Sequence, residues 1–181
     1  MDIFTIGHSN HPLEYLVSLL QGYGIQRLID VRTMPRSRYN PQFNKETFPQ
    51  MLKVLGIAYT HMPKLGGLRR PNKDSPNMGW KNTSFRGYAD YMQTAEFEQA
   101  LEDLLEIAQK ETVAFMCAEA VPWRCHRSLI ADALIVRKTS VRHIMSRVSA
   151  PPHTVTPWAE VKGQSITYPT QQLTLIGESQ K

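Results

Sequence analysis

Two thiols, a carboxylate, an imidazole and two guanidiniums fall within eleven residues of this chain, from Cys117 through Glu119, Arg124, Cys125 and His126 to Arg127. A cysteine becomes a nucleophile or redox centre when cations or a helix N-terminus stabilise its thiolate. Glu119 and His126 are residue types that take and give protons. Cys125, flanked by Arg124, His126 and Arg127 and expected in the first turns of a helix that Pro122 begins, is the candidate reactive thiol. Cys117 ends an apolar run and reads as inward and inert, unless it faces Cys125 across the turn.

Three further groups carry candidate chemistry. His8 and Ser9 stand just ahead of a helix start, where an anion could bind or the histidine could cap the helix. Asp30 and Arg32 leave a strand on one face, because strand side chains repeat every two residues. They form either a structural ion pair or, with Arg38 and Arg127, a clamp for phosphate or carboxylate oxygens. Arg69, Arg70 and Trp80 interleave cations with an aromatic ring, a pattern suited to a nucleic-acid strand stacked on Trp80. The alternative there is a solvated loop with Trp80 tucked into the body.

Two familiar chemistries fit poorly. A phosphatase-like cradle needs an arginine six residues after its cysteine. Arg124 follows Cys117 by seven, with Glu119 and Pro122 intervening. Metal binding lacks a Cys-x-x-Cys or His-x-x-x-His pair, and nearby arginines disfavour a cation, so neither a metal nor another cofactor is expected. Any metal site would have to be assembled by folding alone.

The elements that must position these residues follow from periodicity. Ile3–Ile6, Arg27–Val31, Ile57–His61, Val113–Met116 and Val141–Ile144 read as strands. Helices are expected from Pro12 to Gly22 or Gly24, from Lys45 to Gly56, from Phe85 to Lys110 as two pieces meeting near Thr94, and from Pro122 to about Lys138. Thr33–Asn44 and Leu65–Ser84 read as loops. The Pro- and Thr-rich tail, residues 151–181, is expected to pack on the domain formed by residues 1–150, with short strands at Ser165–Tyr168 and Leu173–Ile176. Strand–helix alternation predicts a single-domain α/β fold, Rossmann-like, its mostly parallel sheet carrying helices on both faces. Polar residues end every strand: His8 and Ser9, Asp30 and Arg32, His61, Cys117 and Glu119, His143. Carboxyl ends of parallel strands are where such sheets bind ligands.

The 181 residues suffice for one full core. No apolar run approaches the roughly 18–20 residues of a membrane span, so no membrane partner is expected. The N-terminus lacks the marks of a signal peptide, and two cysteines are no disulfide framework, which suggests a cytoplasmic setting. Residues 96–111 hold six acids and one lysine, so a net charge of +5 leaves +10 on the remainder. That asymmetry suits phosphate or nucleic acid.

The motifs, taken in order, resemble the domain-of-unknown-function family 488. They are Thr5-Ile-Gly-His-Ser9, Asp30-Val-Arg32 with Pro35 and Ser37-Arg38, Leu65-Gly-Gly67, Phe85 with Tyr88-Ala89 and Tyr91-Met92, Met116-Cys-Ala-Glu119 with Pro122 and Cys125-His-Arg127, then His143-Ile144 and Tyr168-Pro169. The resemblance runs over nearly the whole chain. It implies a compact cytoplasmic α/β domain of bacterial or archaeal type with a polar site built from these motifs, and it implies no reaction. The residues themselves favour an enzyme acting on a phosphate-bearing substrate, a nucleotide or nucleic acid. Arg32, Arg38 and Arg127 would hold the anion, while His8, Glu119, Cys125 and His126 carry the chemistry. A non-catalytic nucleic-acid-binding module and a thiol redox protein are the alternatives, and homodimerisation is the default for assembly.

Overall fold

The computed structural model describes residues 2–170. Five strands, β1 (Asp2–Gly7), β2 (Arg27–Asp30), β3 (Ala58–His61), β4 (Val113–Cys117) and β5 (Ser140–His143), form one sheet in the order β3-β2-β4-β1-β5. Every pairing in it is parallel. Backbone hydrogen bonds prolong it past the strand ends, from His8 N–H to Cys117 O and from Val31 N–H to Met116 O. β4 is buried at every residue, as its unbroken apolar run requires of a central strand.

Helices cover both faces. On one lie α1 (Leu13–Gly22) and α2 (Phe48–Val54), whose Leu16, Leu20, Phe48 and Leu52 pack on Ile6, Leu28, Ala114 and Met116. On the other lie α3 (Thr83–Tyr91), α4 (Ala95–Ala108) and α5 (Arg127–Val136), packed on Ile3, Ile29, Val31, Val113 and Phe115. The period of two is visible in β4: odd residues face α3–α5 and even residues face α1 and α2. Thr94 separates α3 from α4, its hydroxyl accepting from Phe97 N–H as an N-cap.

Helix starts differ from expectation at two places that matter for the site. Pro122 opens a short 3-10 turn over Pro122–Arg124; Cys125 then takes an extended conformation, and α5 begins only at Arg127. Cys125 therefore precedes the helix rather than lying in its first turns. Likewise α1 begins at Leu13 with Pro12 as its N-cap and no side-chain cap, so His8, whose ring nitrogens meet Ser9 O and Arg32, does not cap the helix.

The chain after β5 turns back along the sheet edge. His143 N–H donates to Pro151 O and His153 N–H to Val141 O, after which β6 (Glu160–Lys162) and β7 (Ser165–Thr167) form an antiparallel pair. Tyr168 closes the segment, fully buried against Asp132. The expected strand at Leu173–Ile176 lies outside the described residues.

Candidate functional site

Connections leave β2 and β4 toward opposite edges of the sheet, β2 to β3 and β4 to β5. Such a switch point opens a crevice at the strands' carboxyl ends. A cavity of about 330 Å³ lies there. Its floor holds Cys117, Cys125 and His126; Met34, Leu68 and Phe85 form apolar walls, and Glu119 and Arg124 are exposed at it.

Cys117 continues the odd-numbered face of β4, so its thiol points toward α3 and α5 rather than into the opposite core. The expectation that it is inert gives way to its stated exception, because it faces Cys125 across the turn. His126 Nδ1 lies 3.6 Å from Cys125 Sγ and 3.9 Å from Cys117 Sγ, and the three ligating atoms are all within 4.8 Å of one another. Both cysteines are free thiols, 8% and 3% exposed. On its far side His126 Nε2 is 3.3 Å from Val31 O, and the ring packs on Tyr88. Gly67 makes room for that ring, since a Cβ there would come within 2.5 Å of Nδ1.

The two thiols are not equivalent. The hydrogen bond from Cys117 holds Cys125 well below the usual thiol range, helped by His126 and Arg127 and opposed by burial. Donating that bond, together with burial, pushes Cys117 up. Although Cys125 lies ahead of α5, it still meets the helix start, because Arg127 N–H points at its sulfur from 3.5 Å.

The remaining predicted residues divide by strand parity. Asp30 and His8 lie on the even face, among α1 and α2. Asp30 receives Arg32 Nε and Nη2 at 2.9 and 2.6 Å, and the Tyr59 hydroxyl at 2.7 Å. Arg32 also donates to Phe43 O and to His8 Nε2. A guanidinium can only donate, so His8 Nε2 accepts and His8 Nδ1–H donates to Ser9 O. Burial, then the charge of Arg32, lowers His8 to about 4. Asp30 and Arg32 are thus the structural ion pair, and Arg32 reaches the cavity only with its 7% exposed edge. His8, buried with its ring tilted against Phe43, is not part of the cavity wall.

Arg127 is 1% exposed. Its guanidinium donates to the carbonyls of Glu119 and Ala120 and to Thr5 Oγ1, which pins the β4–α5 turn instead of leaving a fork for an anion. Gly7 lets that turn pass, because a Cβ would stand 1.9 Å from Glu119 O. Thr5 in turn meets His143 Nδ1, His143 Nε2 meets His153 Nδ1, and His153 Nε2 meets Asp132 Oδ1, at 2.8, 2.9 and 2.7 Å. The Asp132 carboxylate can only accept, so with neutral imidazoles the chain runs one way: His153 Nε2–H donates to Asp132, His143 Nε2–H to His153 Nδ1, and the Thr5 hydroxyl to His143 Nδ1. Asp132 and His153 carry no sequence signal beyond residue type.

Arg38 is exposed on the neighbouring loop, outside the cavity. The basic loop is mostly occupied with the fold. Arg69 lies over the Tyr91 ring at 3.5 Å and donates to Gly66 O and Lys64 O, and buried Asp90 gathers Asn72, Ser75 and Asn77. Trp80 stacks on Phe85 and abuts Trp158 and Tyr168, so it is tucked into the body rather than offered to a base. Arg70 alone of these three is exposed.

Fold and site together define a Rossmann-like α/β protein whose switch-point crevice is floored by a sulfur–imidazole cluster. Residues 12–134 match the model of the DUF488 family, described as a domain of unknown function, and the chain belongs to that family. No curated protein and no solved structure matches it. Among the described residues no helix is long and apolar enough to cross a membrane.

Proposed function

We propose that this protein is an enzyme that acts on a phosphate-bearing substrate of nucleotide size, bound in the β2–β4 crevice. The observation that carries the reading is the convergence of Cys117, Cys125 and His126 on the floor of a cavity whose size suits a small ligand. Met34, Leu68 and Phe85 offer an apolar wall against which a base can lie. Arg124, exposed at the same cavity, replaces the buried Arg32 and Arg127 as the group that meets the phosphate. Cys125 and His126 belong to the reactive centre, and Glu119 handles protons from the wall. A small ligand is preferred to a polymer because Arg69 and Trp80, the residues suited to a strand, are engaged within the fold.

Calorimetric titration with adenosine monophosphate and with a 5′-phosphorylated dinucleotide tests the binding half. At least one should bind saturably, and Arg124→Ala and Phe85→Ala should each weaken it about tenfold, a loss near 1.4 kcal/mol. Lys162→Ala, at an exposed position on β6, should not. Product analysis on the probe that binds tests the chemistry: Cys125→Ser and Glu119→Gln should abolish conversion while leaving binding in place. Absence of binding by both probes would refute the proposal.

A further inference from the structure

We propose that Cys117, Cys125 and His126 form a three-ligand site for a thiophilic divalent cation of the zinc class, with its fourth coordination position open to the cavity. Zinc takes sulfur at about 2.3 Å and imidazole nitrogen at about 2.0–2.1 Å in tetrahedral geometry, which sets sulfur–nitrogen edges near 3.6 Å and sulfur–sulfur edges near 3.8 Å. His126 Nδ1 lies 3.6 and 3.9 Å from the two sulfurs, and no pair of ligating atoms is more than 4.8 Å apart. The three donors outline one face of such a tetrahedron: the two sulfur–nitrogen edges match, and the sulfur–sulfur edge, at most 4.8 Å, closes on the ion when it binds.

The ring's far side supports the same assignment. A metal-binding histidine characteristically donates its other N–H to a carbonyl or carboxylate, which fixes the tautomer and aims the free lone pair. His126 Nε2 has Val31 O at 3.3 Å, so a proton held there leaves Nδ1 directed at both sulfurs. Gly67 admits the ring in this pose. The arginines oppose a cation less than their proximity in sequence implies. Arg32 is paired with Asp30, Arg127 is turned onto backbone carbonyls, and Arg124 is at the exposed side of the cavity. Two thiolates also balance the charge of a divalent ion.

The site eluded spacing because its donors come from a strand end, the residue ahead of a helix and that helix's N-cap. With three protein ligands the site is of the open kind that keeps a position for water or substrate, and Glu119 lies on the wall of the cavity it faces. The metal would specify the reactive centre of the enzyme proposed above, and its catalytic meaning rests on that reading.

The test uses the full chain, stripped of metal under reducing conditions, with cobalt(II) and zinc as probes. One equivalent of cobalt should produce thiolate-to-metal charge-transfer bands and the visible spectrum of a tetrahedral ion, and zinc should displace it. Zinc should also protect both thiols from an aromatic disulfide reagent. Cys117→Ser and Cys125→Ser should each remove charge-transfer intensity, and His126→Gln should weaken zinc binding at least about tenfold. Zinc binding no tighter than in a Cys117→Ser/Cys125→Ser double variant would overturn the proposal. So would an octahedral cobalt spectrum, or thiol protection that appears without metal and is reversed by dithiothreitol, which marks a disulfide. Should the variants fail to fold by circular dichroism, the wild-type cobalt spectrum and thiol protection decide alone. Metal retention without nucleotide binding would remove only the proposed substrate class, and nucleotide binding without metal would remove only the metal.

Discussion

At the scale of single residues, the site depends on small spaces and on charges that are already paired. Gly7→Ala places a Cβ against the Glu119 carbonyl at 1.9 Å, and backbone cannot yield cheaply. Denaturant unfolding should show a loss of about 1–3 kcal/mol for this variant. Gly22→Ala, at the end of α1 with nothing within 4 Å, should be neutral or slightly stabilising by the same measurement. Asp30→Asn removes one partner of a buried pair and leaves the Arg32 guanidinium uncompensated. A destabilisation of about 3–5 kcal/mol is expected, larger than for any exposed ion pair such as Arg27–Glu111. A thermal or chemical midpoint for Asp30→Asn indistinguishable from that of Glu111→Gln would contradict the assignment of Arg32 as structural.

At the scale of elements, the directional chain from Arg127 through Thr5, His143 and His153 to Asp132 ties β1, β5, α5 and the segment after β5 together. Burial, then the charges of His153 and Arg127, lowers His143 to about 3, with Asp132 opposing. An unfolded histidine titrates near 6.5, so between about pH 6.5 and about pH 3 the unfolded chain binds the proton that folded His143 refuses. Stability from this group is therefore complete above pH 6.5 and is lost on acidification, at up to about 1.4 kcal/mol per pH unit. Unfolding free energies measured from pH 7 to pH 4 should fall, and His143→Gln should flatten that slope whatever its effect at pH 7. An unchanged slope would mean that His143 titrates normally in the folded protein.

At the scale of the whole molecule, charge and shape act separately. The acids of α4 lie on the exposed side of one helix, while the rest of the sequence is net basic, so the protein should attract polyanions through its general surface charge. Binding to a random oligonucleotide should collapse between 50 and about 200 mM salt. Binding of a mononucleotide in the crevice should change much less, because it uses the apolar wall and one arginine. Equal salt slopes for the two ligands would place both on the general surface and count against the crevice.

Periodicity and punctuation alone determined the five strands, the split of α3 from α4 at Thr94, and the end of the sheet at which polar residues gather. These are local properties: apolar repeats of 2 and 3.6, caps and prolines act over a few residues. The short range of the same signals explains the errors. Pro122 marks a turn as readily as a helix, and only the packing of the β4–α5 turn over Gly7 decided that Cys125 stands ahead of α5. Asp30, His8 and Arg32 share a sheet end with Cys117, yet strand parity sends them to the opposite face, so one predicted site became two. Arg127 and Trp80 look like ligand contacts by residue type, but burial gives them backbone carbonyls and aromatic neighbours instead. Residue type and spacing thus determined which groups were available for chemistry. Which of them meet was decided by tertiary structure, because a hydrogen bond or a coordination edge requires placement to within a few tenths of an ångström, and that is set by contacts between segments far apart in the chain.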